Sequence, residues 1–155
     1  MDVEVSRDGE LMYFTNYSRW RVDAIELSNP QNRKTYSLGM DLYRVGVALD
    51  SRQLYASTVE GGLYVLDTVT GDHSVMEGIR CRGGLVMSTD GRLAYVGAQS
   101  EEGAGEQLVV IDTVANSIVK RLDTRFVVNT FAVNPDGNSA VLSNGTNIIH
   151  IIPLA

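Results

Sequence analysis

Arginine recurs where the hydrophobic runs of this chain break: Arg44, then Arg80 and Arg82, then Arg125. A guanidinium grips carboxylate or phosphate through two parallel N–H donors, so several around one opening would hold a small anionic ligand. Tyr17, Trp20 and Asn129 fall in comparable breaks and would add aromatic contact and amide hydrogen bonding. The competing use of such arginines is pairing with acids, since 13 basic residues face 19 acidic ones.

The other reactive side chains are sparser. His73 and His150 lie far apart without a second ligand at metal spacing, and His150, flanked by Ile149 and Ile151, reads as a strand residue turned outward or bonded locally. Cys81 stands alone, which excludes an intrachain disulfide; Arg80 and Arg82 beside it could depress a thiol pKa, although a buried, inert thiol fits as well. No nucleophile elbow, phosphate loop or dinucleotide fingerprint occurs. The sequence therefore gives no catalytic residue, metal ligand or cofactor.

The carboxylates are more informative for where they repeat. Asp8, Asp50, Asp90 and Asp136 stand 42, 40 and 46 residues apart, each starting a turn and followed by a strand. Asp67 and Asp112 recur in the same way further along. A residue that returns in every copy serves the turn: aspartate bonds its own backbone and the following glycine accepts positive φ. Aligned on these turns, the strands fall at 3–5, 11–15, 21–27 and 35–38; 46–49, 54–57, 63–66 and 74–76; 85–88, 93–97, 108–111 and 117–122; and 130–133, 140–143 and 148–152. No long segment shows a helical period, and 3.6-residue periodicity nowhere beats alternation.

A period of 40 to 50 residues built only of strands describes the blades of a propeller. The expected fold is all-β: a β-propeller segment of about four blades, each a four-stranded antiparallel meander, the last incomplete, within a seven- or eight-bladed ring. The units run approximately 1–40, 41–80, 81–125 and 126–155 in one partial domain.

The copies resemble the YVTN-type β-propeller repeat. Tyr13-Phe14-Thr15-Asn16 matches the motif tetrad; Val5-Ser6-Arg7-Asp8-Gly9 and Val133-Asn134-Pro135-Asp136-Gly137 match the strand and turn before it. Val109-Val110-Ile111-Asp112-Thr113 and Tyr64-Val65-Leu66-Asp67-Thr68 match the segment after it. The resemblance spans the chain and implies the fold. It associates the chain with surface-layer proteins, lactonase-like enzymes and propeller subunits of quinoprotein amine dehydrogenase-like or haem d1 enzymes, and leans toward an extracytoplasmic setting. Two functions follow as expectations: a non-catalytic module for protein or anionic ligand binding and scaffolding, or part of a propeller enzyme whose active site needs further blades.

Bulk properties narrow the partners. A net charge of −6 disfavours nucleic acid and anionic membrane surfaces, which need clustered positive charge. No run approaches the 18 apolar residues of a membrane-spanning helix, and the chain enters a strand pattern at Met1-Asp2-Val3 without a leader-like segment. Its open blade edges are expected to pair with a protein partner or with a second copy.

Overall fold

The structure, a computed structural model, describes residues 2–16, 19–100, 105–128, 130–143 and 148–154, with residues 82 and 83 described by their backbone alone. Among these residues, fifteen strands form four antiparallel sheets, each ordered as in the chain. The first holds β1 (Val3–Val5), β2 (Leu11–Asn16), β3 (Arg21–Glu26) and β4 (Arg33–Ser37). The second holds β5 (Leu42–Val47), β6 (Gln53–Thr58), β7 (Leu63–Asp67) and β8 (His73–Val75). The third holds β9 (Arg80–Met87), β10 (Leu93–Gln99), β11 (Glu106–Asp112) and β12 (Ser117–Asp123). The fourth has three strands, β13 (Thr130–Val133), β14 (Ser139–Ser143) and β15 (Ile149–Pro153). No helix occurs among the described residues.

The repeated aspartates do what their recurrence implied. Asp8 and Asp90 each accept a serine hydroxyl (Ser6, Ser88) and the backbone N–H two residues on, at 3.0 Å in both turns. Asp50 and Asp136 accept the same N–H at 2.9 Å. Asp67 and Asp112 each take two successive N–H groups at 2.8 and 3.0 Å. Ser51, with φ 55, stands where the other copies place glycine.

Successive sheets pack face to face, giving three cores between the four of them. Tyr13, Tyr55 and Tyr95 lie five residues beyond their turn aspartates and are buried on the face turned to the next sheet. Burial pushes all three phenols upward. Val141 occupies their place in the fourth sheet. In cross-strand register, Val22, Leu63, Leu108 and Ile149 form one equivalent set, and Ala24, Val65, Val110 and Ile151 another. Val22, Leu63 and Leu108 are 0% exposed, whereas Ile149 is 70% and Ile151 73% exposed. The first sheet shows the reverse case: Val3 is 54% exposed where its counterparts Val45, Leu85 and Phe131 are buried.

Two inner strands run longer than the sequence pattern suggested. β5 starts at Leu42 and β9 at Arg80, each passing through a register shift. In β9 the residues around Gly83-Gly84 swell into a bulge opposite Gly97, so glycines that read as a turn lie inside a strand. A Cβ on Gly84 would sit 2.7 Å from the Phe131 ring and one on Gly97 2.3 Å from the Val128 carbonyl. Both glycines let the fourth sheet approach.

Candidate binding face and inner-strand cavity

In an antiparallel meander, the link from second to third strand and the crossing to the next sheet emerge at the same end. Backbone bonds stitch them together here: Leu38 N–H donates to the Trp20 carbonyl at 3.1 Å, Val59 to Asp41 at 3.0 Å, Cys81 to Gly61 at 2.7 Å and Thr124 to Glu106 at 2.9 Å. This end carries most of the residues singled out from sequence. Trp20, in a left-handed conformation at φ 53, is exposed, as is Tyr43, whose ring lies 5.4 Å from the Arg44 guanidinium. Arg125 is exposed in the crossing after β12, at φ 60.

The remaining arginines differ from expectation in location. Arg44 lies within β5 and Arg80 and Arg82 open β9, because the bulged ladders extend through what looked like crossings. Arg80 pairs with Gln99, and its side-chain stem lies 3.5 Å from where a Cβ on Gly61 would stand. Tyr17, Asn129 and the Arg82 side chain lie outside the described residues.

Residues on or beside the inner strands β1, β5, β9 and β13 line a cavity of about 380 Å³. Asp2, Glu4, Arg7, Arg44, Met87 and Phe131 contribute to its wall. Asp2 holds Arg44 in place: Oδ1 accepts from Nη1 at 3.1 Å, and Oδ2 accepts the Val45 N–H at 3.0 Å. Arg7 reaches across two sheets, donating to the Val47 and Thr89 carbonyls at 3.1 Å each. Burial raises the Glu4 carboxyl, neighbouring Asp2 raises it further, and Arg7 opposes both. Of the arginines picked from sequence, Arg44 lines this wall. Asp2, Glu4 and Arg7 were not picked. Arg7 had a readable signal, because the residue before the turn aspartate is uncharged in the other copies (Leu49, Thr89, Pro135).

Elsewhere the reactive side chains are occupied by structure. Cys81 is buried in the core between the second and third sheets. His73 tilts against Tyr64 with ring centroids 6.2 Å apart, on the wall of a 570 Å³ wedge between the outer strands of the second and third sheets. His150 faces the third sheet rather than outward, stacked 4.0 Å from Phe126. Among the described residues no three histidine, cysteine or carboxylate side chains gather as a metal site. No helix among them is long and apolar enough to cross a membrane.

Comparison with known proteins bears on the fold alone. No family model matches the chain, and no curated protein matches it. Solved structures do. The Cps50 (Swd1) β-propeller domain of Myceliophteria thermophila superposes with a TM-score of 0.78 at 14% identity, over 98% of this chain and 51% of that one. Hydrazine synthase of Kuenenia stuttgartiensis gives 0.70 at 15% identity, over 91% and 42%. A candidate 6-phosphogluconolactonase from Bacteroides uniformis gives 0.67 at 17%, over 98% and 49%. The chain thus spans about half the length of the solved proteins it matches. Its four sheets are blades of a β-propeller.

Proposed function

We propose that this chain is a non-catalytic β-propeller binding module, whose loop face holds a protein partner presenting carboxylates or a small anionic ligand. The observation that carries the reading is the grouping of exposed Trp20 and Tyr43 with Arg44, Arg80 and Arg125 at one end of the blades. Aromatic and arginine side chains together dominate contact energy at protein interfaces. The turn carboxylates support it from the other side, since backbone bonds occupy them. A propeller domain among the structural neighbours, that of Cps50 (Swd1), accords with the reading at the level of fold.

Trp20 is the single tryptophan and sits on the proposed face, so its fluorescence reports occupancy directly. Titrating citrate, phosphate and a glutamate-rich peptide at low salt gives a saturable change with at least one probe. The combined Arg80→Ala and Arg125→Ala variant weakens that binding about tenfold or more, as expected for losing charge-assisted hydrogen bonds. Flat titrations with all three probes overturn the reading.

A second reading, part of a propeller enzyme, draws on the lactonase-like neighbour. It predicts that the chain, joined to further blades, hydrolyses a sugar lactone and loses this activity on Arg44→Ala. Lactone hydrolysis by such an assembly would displace the first reading.

A further inference from the structure

We infer that the wedge between the outer strands of the second and third sheets takes a lysine side chain presented by a partner polypeptide. Both walls belong to the middle sheets, each with a further sheet packed behind it. The site lies on the outer strands and prefers positive charge, so it goes beyond the anion-binding loop face.

Three clefts separate the four sheets, and a lysine of the chain clasps two of them. In register behind Tyr13, Tyr55 and Tyr95, the outer strands place Lys34, Ser74 and Lys120 at one equivalent position. The acceptors also correspond: Thr68, Thr113 and Leu154 each stand one residue beyond the third strand of the following sheet. Their N–H groups donate to the Arg52, Arg92 and Asn138 carbonyls in turn. Lys34 donates across the first cleft to the Thr68 carbonyl at 2.6 Å and to that of Val69 at 3.1 Å. Lys120 donates across the third to the Leu154 carbonyl at 2.8 Å. The middle cleft has Ser74 instead. A serine hydroxyl stands directly on Cβ, whereas a lysine ammonium ends a flexible four-carbon stem. Here the 570 Å³ wedge opens, a volume within the range of about 300–1,000 Å³ usual for ligand pockets.

Its lining suits what the missing side chain would bring. Val65, Met76 and Ile118 form an apolar floor, on which an alkyl stem can lie. Asn116 reaches from the third sheet to accept the Tyr55 hydroxyl and to donate to Gln53 at 3.2 Å, which ties the two walls together. Asp72 and Glu77 bring exposed carboxylates to the rim, and the described lining residues include no lysine or arginine. Asp67, also on the wall, is held by Arg52 at 3.1 Å and by its own turn. An entering ammonium therefore meets negative charge, with the Thr113 carbonyl standing in the Asn116 turn as the acceptor matching Thr68 and Leu154.

Methyl-labelled methionine reports occupancy, because Met76 lies in the floor. The probe is a blocked Gly-Gly-Lys-Gly-Gly peptide, titrated beside its norleucine counterpart and beside n-butylamine, which has the stem and ammonium without a backbone. The lysine peptide moves the Met76 resonance saturably, and both other probes bind about tenfold more weakly or less. Ser74→Lys supplies the clasp from the chain itself. Ser74 is exposed, so the variant folds; its melting temperature rises by about 2–4 °C and it no longer binds the peptide. Ser74→Ala binds as the parent does. A silent Met76 resonance overturns the proposal, as does equal binding of the norleucine peptide, which would leave only an apolar groove. Binding of n-butylamine as tight as the peptide makes the occupant a free amine and overturns it too, as does unchanged peptide binding in Ser74→Lys. The anionic probes of the Trp20 titration respond alike in parent and Ser74→Lys, so the two sites stand or fall separately.

Discussion

The first and fourth sheets both end the stack, and they treat their free faces differently. On the first, Asp23 is fully buried although its face has no sheet against it. Arg33 lies 2.6 Å from one of its oxygens and Arg21 3.0 Å, while the Thr35 hydroxyl donates at 2.7 Å. The Arg33 guanidinium also covers the Phe14 ring, 5.6 Å from its centroid. Salt-linked side chains thus roof half of that face. Among the described residues the fourth sheet carries no such roof, and Ile149 and Ile151 stand exposed.

Substitutions at matched register positions break or sharpen this contrast. The largest effect is expected from Leu108→Ala, which empties a fully buried site in the third sheet and costs about 3 kcal/mol in a denaturant titration. Gly97→Ala comes next at about 2 kcal/mol, since its new methyl meets the Val128 carbonyl and forces the third and fourth sheets apart. The equivalent positions in the other sheets carry Thr15, Ser57 and Ser143, so the penalty is particular to the site where the fourth sheet approaches.

Asp23→Asn removes the roof's anchor and costs about 1–2 kcal/mol, the exposure of Arg33 holding the figure down. The pH dependence has a definite sign. Burial pushes the Asp23 carboxyl up, but hydrogen bonds from Arg33, Thr35 and Arg21 outweigh it, leaving the folded pKa below the ordinary value. Its stabilisation is therefore complete above the unfolded carboxylate range, near pKa 3.9, and is lost as pH falls through the lower folded value. Melting curves across that window show a shallower acid decline in Asp23→Asn than in the parent; equal slopes would remove the anchor role. Ile149→Ala has the smallest effect, below about 0.5 kcal/mol, although its equivalent in the third sheet is Leu108. A large loss there would mean the face is already covered.

The sequence made the blades readable because the aspartate turns and the tyrosines behind them recur at fixed offsets, and offsets survive when identities drift. It made the inner strands less readable. The bulge at Gly83-Gly84 imitates a turn locally, and only the cross-strand register with Gly97 shows it to be part of β9. The binding face was legible as a set of loop arginines, yet the cavity acids Asp2 and Glu4 were not, because nothing local marks a three-residue strand and the residue before it as cavity lining. His150 was misdirected by alternation. In Ile149-His150-Ile151 the polar residue turns inward to Phe126 and the isoleucines turn out, the reverse of a water-facing sheet.

Parallel denaturant titrations of Leu108→Ala and Ile149→Ala test most directly the claim that equivalent positions are core in the third sheet and uncovered in the fourth. The account predicts a loss of about 3 kcal/mol for the first and below about 0.5 kcal/mol for the second. Equal losses at the two positions would contradict it.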